Sequence, residues 1–155
     1  MDYKALADLL FPQVDKEPEY YEAKYKARTL SEGAKVTRFA PSPTGFVHFG
    51  SMLPVVVSER LAHQSEGVFY LRIEDTDDKR YVEGAEEDLI NVYKYFGVNF
   101  DESIIAGGEY APYRQSERKD IYSAYAKKLV AEGKAYPCFC SSEELDKTRK
   151  LQEEK

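Results

Sequence analysis

The chain has 155 residues, of which 43% are hydrophobic and 32% charged, values typical of one soluble globular domain with a core of its own. Its formal net charge of −6 argues against a protein that binds nucleic acid through phosphates alone, because such proteins are basic. No apolar run approaches the roughly 20 residues that cross a membrane, and the first residues lack the apolar stretch of a secretory signal. Two cysteines one residue apart form no disulfide framework, which suits a reducing cytoplasm.

Two helices are predicted ahead of the first strand. Apolar residues at helical spacing predict a helix within residues 2–12, and the tyrosine-rich residues 17–29 predict a second. Neither segment contains a chemical motif. We therefore interpret residues 1–33 as a helical extension that packs on the domain after it.

Strands and helices then alternate along the chain. The pattern predicts a strand at 34–40, a helix at 48–64, a strand at 68–73 and a helix at 82–96. Pro54 lies past the first turn of the predicted helix, where it would kink the helix, and Gly97 is the expected cap of the second helix. This βαβα order predicts a parallel sheet with crossover helices in residues 34–110.

The last third of the chain is predicted to be mostly helical. In order it contains a loop-rich segment at 99–112, a helix at 116–130, a short strand at 134–140 and a helix capped by Ser141 that runs to Lys155. Because this helix has no stop signal, we expect the natural protein to continue past residue 155.

Residues 38–51, RFAPSPTGFVHFGS, carry the most specific chemistry. A strand ends, a proline–glycine loop exposes its backbone, and a helix begins near His48. A helix start presents free N–H groups and the positive end of a dipole, which suits phosphates. Gly50 lets a nucleotide approach the backbone, and His48 can donate to phosphate oxygens. A plain strand–loop–helix joint with a capping histidine is the alternative for H-x-G by itself.

Four sequence blocks occur in the order found in one enzyme family. They are RFAPSPTGFVHFGS at 38–51, LRIEDTD at 71–77, YRQSER at 113–118 and GKAYPCFC at 133–140. Over about residues 35–150 the chain resembles the class I glutamyl-tRNA synthetases, whose first signature reads R-F-A-P-S-P-T-G-x-x-H-x-G. The first 33 residues lie outside this resemblance or belong to a subgroup extension. The resemblance implies an α/β, Rossmann-like class I catalytic fold, incomplete here, with residues 111–155 starting the inserted region that holds the tRNA acceptor end.

The resemblance also implies an ATP site. His48 and Gly50 would bind ATP, and the helix start at His48, Gly50 and Ser51 would face the phosphates and serve catalysis. The backbone of Ala40 and Pro41 would lie near the adenylate.

A glutamate site is implied at the strand ends. Arg38 and Ser42 would contact the amino-acid substrate, and Glu74 would take its ammonium group. A guanidinium suits a carboxylate, and open α/β sheets bind ligands at the carboxyl ends of their strands. The alternative is that Glu74 and Asp75 are loop or cap acids, an interpretation that we favour for residues 77–80.

The implied reaction has two steps. The glutamate α-carboxylate attacks the α-phosphate of ATP, giving glutamyl-adenylate and pyrophosphate, and the glutamyl group then passes to the terminal ribose of tRNA(Glu). Catalysis rests on positioning and charge stabilisation, with Mg²⁺ neutralising the phosphates of ATP. The implied partners are tRNA(Glu), L-glutamate and ATP, for a monomer in the cytoplasm.

Other features of the family are absent from this sequence. It lacks the lysine-rich K-M-S-K-S-like loop, an anticodon-reading domain and the later part of the glutamate pocket, so we expect the chain to be an N-terminal part that is inactive alone. Cys138 and Cys140 resemble half of a zinc site, but zinc needs four ligands. We interpret both as free thiols unless further ligands follow residue 155.

Two other functions remain open. One is the short paralogue that glutamylates queuosine in the anticodon of tRNA(Asp), which also shows H-F-G-S. The other is a non-catalytic tRNA-binding module that kept the fold. T-x-D after R-I-E-D weighs against the paralogue, and the intact residues at the predicted glutamate and ATP sites weigh against the module.

Overall fold

The fold is built on two parallel strands and the helix that connects them. The computed structural model describes residues 2–77 and 79–154. In chain order its elements are α1 (Tyr3–Leu10), α2 (Pro18–Lys24), β1 (Val36–Phe39), α3 (Met52–His63), β2 (Val68–Leu71), α4 (Ala85–Tyr95), α5 (Lys119–Ala131) and α6 (Ser142–Glu153), with 3₁₀ turns at Phe49–Ser51 and Ser116–Arg118. None of the helices in these two ranges is long and apolar enough to cross a membrane.

The predicted parallel sheet is confirmed. β1 and β2 pair in parallel, with Val36 opposite Val68 and Phe39 opposite Leu71. One face of this pair is covered by α3 and α4 and forms the hydrophobic core. The buried residues of that core are Val55, Ala62, Phe69, Leu71, Ile73, Leu89, Tyr93 and Val98. Because side chains alternate along a strand, the opposite face carries Val36 and Arg38 of β1 and Val68 and Tyr70 of β2.

The free edge of β2 is covered by residues 102–115, most of which lie in the segment 99–112 that we predicted as a loop. Leu71 N donates to Glu102 O at 2.9 Å, and Ile73 N donates to Tyr113 O at 3.0 Å. Ile73 O in turn accepts from Gln115 N at 2.9 Å. Single parallel bridges rather than a third strand therefore satisfy this edge.

The helix after β1 begins later than predicted. A 3₁₀ turn occupies Phe49–Ser51, and α3 starts at Met52. Pro54 is then the third residue of α3, where a backbone N–H has no partner within the helix. The predicted kink at Pro54 stays a prediction.

The two ends of the last segment differ in outcome. The predicted strand at 134–140 was wrong, because these residues pair with no strand in the described ranges and a strand needs a neighbour for its backbone groups. The predicted cap of α6 is confirmed. Glu144 N donates to Ser141 Oγ at 3.2 Å, and Ser141 N donates to Glu144 Oε2 at 2.7 Å, which is a capping box.

The N-terminal extension packs on the chain that follows it. α1 lies along α5, where Asp8 and Lys127 form an ion pair of 2.8 Å. α2 ends at Lys24, five residues before the end of the predicted helix, and the chain continues to Arg28. Both terminal nitrogens of Arg28 donate to the two carboxylate oxygens of Glu102, each at 2.6 Å. The boundary at residue 33 stays a prediction.

We predict that Arg28→Ala lowers the free energy of unfolding by about 2–4 kcal/mol, since it leaves a largely buried carboxylate without its cation. The Arg28 and Glu102 side chains are only 19% and 12% exposed. The measurement is the midpoint of urea unfolding, followed by circular dichroism. Arg149→Ala is the matched control, because Arg149 pairs with Asp146 on the surface and should contribute no more than about 0.5 kcal/mol. Equal losses in the two variants would contradict the role assigned to Arg28.

Candidate active site at the strand ends

Arg38 on β1 and Glu74 after β2 meet at the carboxyl edge of the sheet. Arg38 Nη1 donates to Glu74 Oε1 at 3.0 Å, and Arg72 Nη2 donates to the same oxygen at 3.4 Å. The backbone fixes this arrangement, because Glu74 N donates to Pro41 O at 2.8 Å. The Arg38 and Glu74 side chains are 37% and 31% exposed, so the pair is open to a ligand.

The proline–glycine loop, residues 41–45, is fixed to the segment before α4. Pro43 is buried, and its carbonyl accepts from Val82 N at 2.9 Å. Ser42 is exposed, and its carbonyl accepts from Thr44 N at 2.8 Å. These two contacts hold the loop and leave the Ser42 hydroxyl on the surface.

His48 lies directly before the 3₁₀ turn and packs over Gly50. A Cβ atom placed on Gly50 would lie 3.1 Å from Nδ1 of His48. His48 has an extended backbone, and its side chain does not cap the turn. The His48 side chain is exposed, so a ligand at the start of the turn can reach the imidazole ring.

α4 holds the segment around His48 at two points. Tyr93 OH donates to Ser51 Oγ at 3.2 Å, and Ser51 Oγ donates to His48 O at 2.7 Å. Val47 N donates to Asp88 Oδ2 at 3.3 Å. Burial raises the pKa of Tyr93, against the effect of its bond to Ser51, so this hydroxyl remains a donor. The Ser51 hydroxyl thus fixes the turn. The sequence did not indicate this contact, because the helical pattern places Tyr93 on the apolar side of the helix and predicts no hydrogen-bond partner for its hydroxyl.

A cavity of about 310 Å³ lies between the proline–glycine loop, the His48 turn and α4. Its volume is at the lower end of the range for small-molecule sites. It is lined by Phe39, Pro41, Ser42, Thr44, Gly45, Phe46, Val47, His48, Ser51, Leu89 and Tyr93. Four of the predicted site residues therefore share one cavity. Ala40 precedes Pro41 on its rim, and the Arg38–Glu74 pair lies at the adjoining strand ends.

The acids after Glu74 have local partners. Asp75 accepts from Ser116 N at 2.9 Å and from Ser116 Oγ at 2.6 Å. Burial acts to raise the pKa of Asp75, but these hydrogen bonds outweigh it and the pKa is lowered. Arg80 Nε donates to Asp77 Oδ2 at 2.6 Å. Asp75 therefore joins β2 to the start of α5, Asp77 and Arg80 pair with each other, and Asp78 lies outside the described residues.

Cys138 and Cys140 are exposed, are not joined by a disulfide and contact each other. A backbone and a side-chain hydrogen bond from Cys140 lower the pKa of Cys138, while the partner thiol raises the pKa of Cys140. Within residues 2–77 and 79–154, no three His, Cys, Asp or Glu side chains are grouped to hold a metal ion. The free-thiol interpretation stays a prediction.

The sequence matches one protein family over most of its length. Residues 35–155 match the family described as tRNA synthetases class I (E and Q), catalytic domain. The chain is 57% identical to the glutamate–tRNA ligase of Clostridium perfringens strain 13 and 59% identical to that of Acetivibrio thermocellus, each over 98% of this chain. Both matches therefore include nearly all of the N-terminal extension. The chain spans 29% of the length of either relative.

A solved structure shows the same fold. The chain is similar to the crystal structure of a glutamate tRNA ligase from Elizabethkingia meningosepticum in complex with its amino acid, with a TM-score of 0.69 and 46% identity. The similarity covers 79% of this chain and 24% of that protein. The βαβ core, the signature blocks and the three comparisons agree, and the chain belongs to the class I tRNA synthetase (E and Q) family, with residues 35–155 in its catalytic domain.

Proposed function

We propose that this chain supplies the glutamate and ATP sites of a glutamate–tRNA ligase, which joins L-glutamate to tRNA(Glu) through glutamyl-adenylate. The observation that carries the proposal is the Arg38–Glu74 pair, at 3.0 Å, beside the cavity at the His48 turn. Two relatives that match 98% of this chain are named glutamate–tRNA ligases, which favours this enzyme over the queuosine paralogue and the non-catalytic module. The reaction belongs to the cytoplasm, and we expect a monomer.

The ion pair suggests how glutamate binds. The substrate brings a carboxylate for Arg38 and an ammonium group for Glu74, and the Ser42 hydroxyl adds a hydrogen bond. Because the substrate carries both charges, each side chain exchanges one opposite charge for another and none is left unpaired. Both side chains are about one-third exposed, so little desolvation accompanies the exchange.

ATP would occupy the adjoining cavity, with Mg²⁺ on its phosphates. The backbone of Ala40 and Pro41 borders the adenylate, and His48 donates to phosphate oxygens at the start of the turn. The first N–H groups of a helix lack intrahelical partners and attract anions. Ser51 and Gly50 set the position of the imidazole, as their contacts with His48 indicate.

The chemistry needs no protein nucleophile. A glutamate α-carboxylate oxygen forms a bond to the α-phosphorus of ATP while the bond to pyrophosphate breaks. A terminal ribose hydroxyl of tRNA(Glu) then attacks the acyl carbon, and AMP leaves. The chain contributes by positioning the reactants and by placing cationic and donor groups beside the phosphates.

Arg38→Ala in the intact ligase should lower kcat/KM for glutamate on the order of 100-fold, because a charged hydrogen bond to the substrate is lost. ATP affinity should change by less than about threefold. Pyrophosphate exchange and ATP calorimetry measure the two effects. Arg60→Ala, on the exposed side of α3, is the control and should alter neither. Equal losses for glutamate and ATP would show that Arg38 serves the wrong ligand in this proposal.

Gly50→Ala should weaken ATP binding about tenfold, since the added Cβ lies 3.1 Å from His48 Nδ1 and displaces the imidazole. Calorimetry with Mg-ATP on the intact ligase measures this, with the unfolding midpoint as a check on folding. Unchanged ATP affinity in a folded variant would remove His48 from the nucleotide site.

The isolated 155-residue chain should not sustain charging of tRNA(Glu), because it spans 29% of its curated relatives. Incorporation of labelled glutamate into tRNA, with an intact ligase as positive control, measures this. Weak ATP binding by the chain is expected to survive in calorimetry. Multiple turnovers by the chain alone would refute the expectation that the rest of the ligase is required for charging.

A further inference from the structure

A second cavity lies on the face of the sheet opposite the hydrophobic core, away from the His48 turn. Its volume is about 190 Å³, below the range of sites for drug-sized molecules, so it fits one small group. Besides Val36, three arginines and three tyrosines line it: Arg28, Arg72, Arg118, Tyr70, Tyr110 and Tyr113. We call it the arginine cavity.

One of the three guanidinium groups is already compensated. Arg28 donates twice to Glu102 at 2.6 Å, and its Cζ lies 3.9 Å above the centre of the Tyr110 ring. Tyr113 OH also donates to Glu102, at 2.6 Å. Glu102 thus accepts three short hydrogen bonds. The bond from Arg28 contributes most to lowering the pKa of Glu102 below its usual range. The Glu102 carboxylate therefore remains ionised and compensates the charge of Arg28.

The other two guanidinium groups lack a full set of partners. Arg118 Nη1 donates to the carbonyls of Tyr110 and Pro112 at 3.1 and 2.9 Å, which are neutral acceptors. Arg72 reaches Glu74 only at 3.4 Å, and that oxygen is shared with Arg38. Among the described residues, the Nε atoms of Arg72 and Arg118 are buried and have no hydrogen-bond partner.

These Nε atoms have too little accessible surface to reach a ligand in the cavity, but a guanidinium charge without a full counter-charge is costly where it is largely buried. In the part of the chain that the structure describes, Arg38 and Arg72 share the single carboxylate of Glu74, and Arg118 has only carbonyl acceptors. Two positive charges are therefore left without a counter-charge, and they match an acceptor that carries two negative charges. We propose that the arginine cavity binds a phosphate dianion, through Arg72 and Arg118, as a site separate from the proposed ATP site. A singly charged carboxylate would leave one of the two cations unmatched.

The test is calorimetric titration of the 155-residue chain with inorganic phosphate at constant ionic strength. We expect saturable binding that Arg72→Gln weakens at least about tenfold, because a charged hydrogen bond is lost. Arg149→Gln, which removes an exposed arginine elsewhere, should leave the affinity unchanged. If Arg72→Gln does not fold, Arg118→Lys replaces it, since lysine keeps the charge and loses the planar fork.

Three results would overturn the proposal. They are no saturable binding by the unmodified chain, unchanged affinity in the folded arginine variants, and acetate binding as tightly as phosphate. The His48→Ala variant distinguishes this site from the proposed ATP site. If His48→Ala abolishes phosphate binding and Arg72→Gln does not, the proposal of a separate site is overturned. Titration with AMP shows whether the bound phosphate is a monoester or the free ion. AMP binding that Arg72→Gln abolishes supports a phosphate monoester, whereas binding of inorganic phosphate without binding of AMP supports the free ion.

Discussion

The parallel pairing of β1 and β2 is the constraint on which the rest of the structure depends. It continues past the strands, where Arg72 N donates to Phe39 O at 3.0 Å and Glu74 N to Pro41 O at 2.8 Å. A slip of one residue would turn Arg38 into the core, because side chains alternate. Gly67 sets the register at the other end, since any Cβ there would lie 1.9 Å from Lys35 O. The ion pair at the strand ends is therefore a product of backbone pairing.

The edge of β2 links the extension to the candidate site. Glu102 pairs with Leu71 through its backbone and with Arg28 through its side chain. Further along the same edge, Ser116 binds Asp75, the residue next to Glu74. Contacts from Arg28, which follows α2, to the strand ends thus lie along one edge of the sheet, which explains how residues without a chemical motif support the sheet that carries the candidate site.

The sequence predicted the elements better than the contacts between them. The spacing of apolar residues and the turn residues predict β1, α3, β2 and α4, and the signature blocks predict which residues share the sheet edge. They do not predict the Arg28–Glu102 pair or the Tyr93–Ser51 bond, which join positions 74 and 42 residues apart through tertiary packing. The strand predicted at residues 134–140 was wrong for a related reason, since a strand forms only beside a neighbouring strand, which the local sequence pattern does not predict.

The two contacts from α4 to the turn have a mechanical consequence. Tyr93 is a fully buried member of the core, and it and Asp88 hold Ser51 and Val47 from the same helix. Moving the turn would therefore require α4 to shift within a close-packed interior, which resists small displacements. The proposed ATP site is therefore preorganised, so that ligand binding there would spend little free energy on ordering the protein.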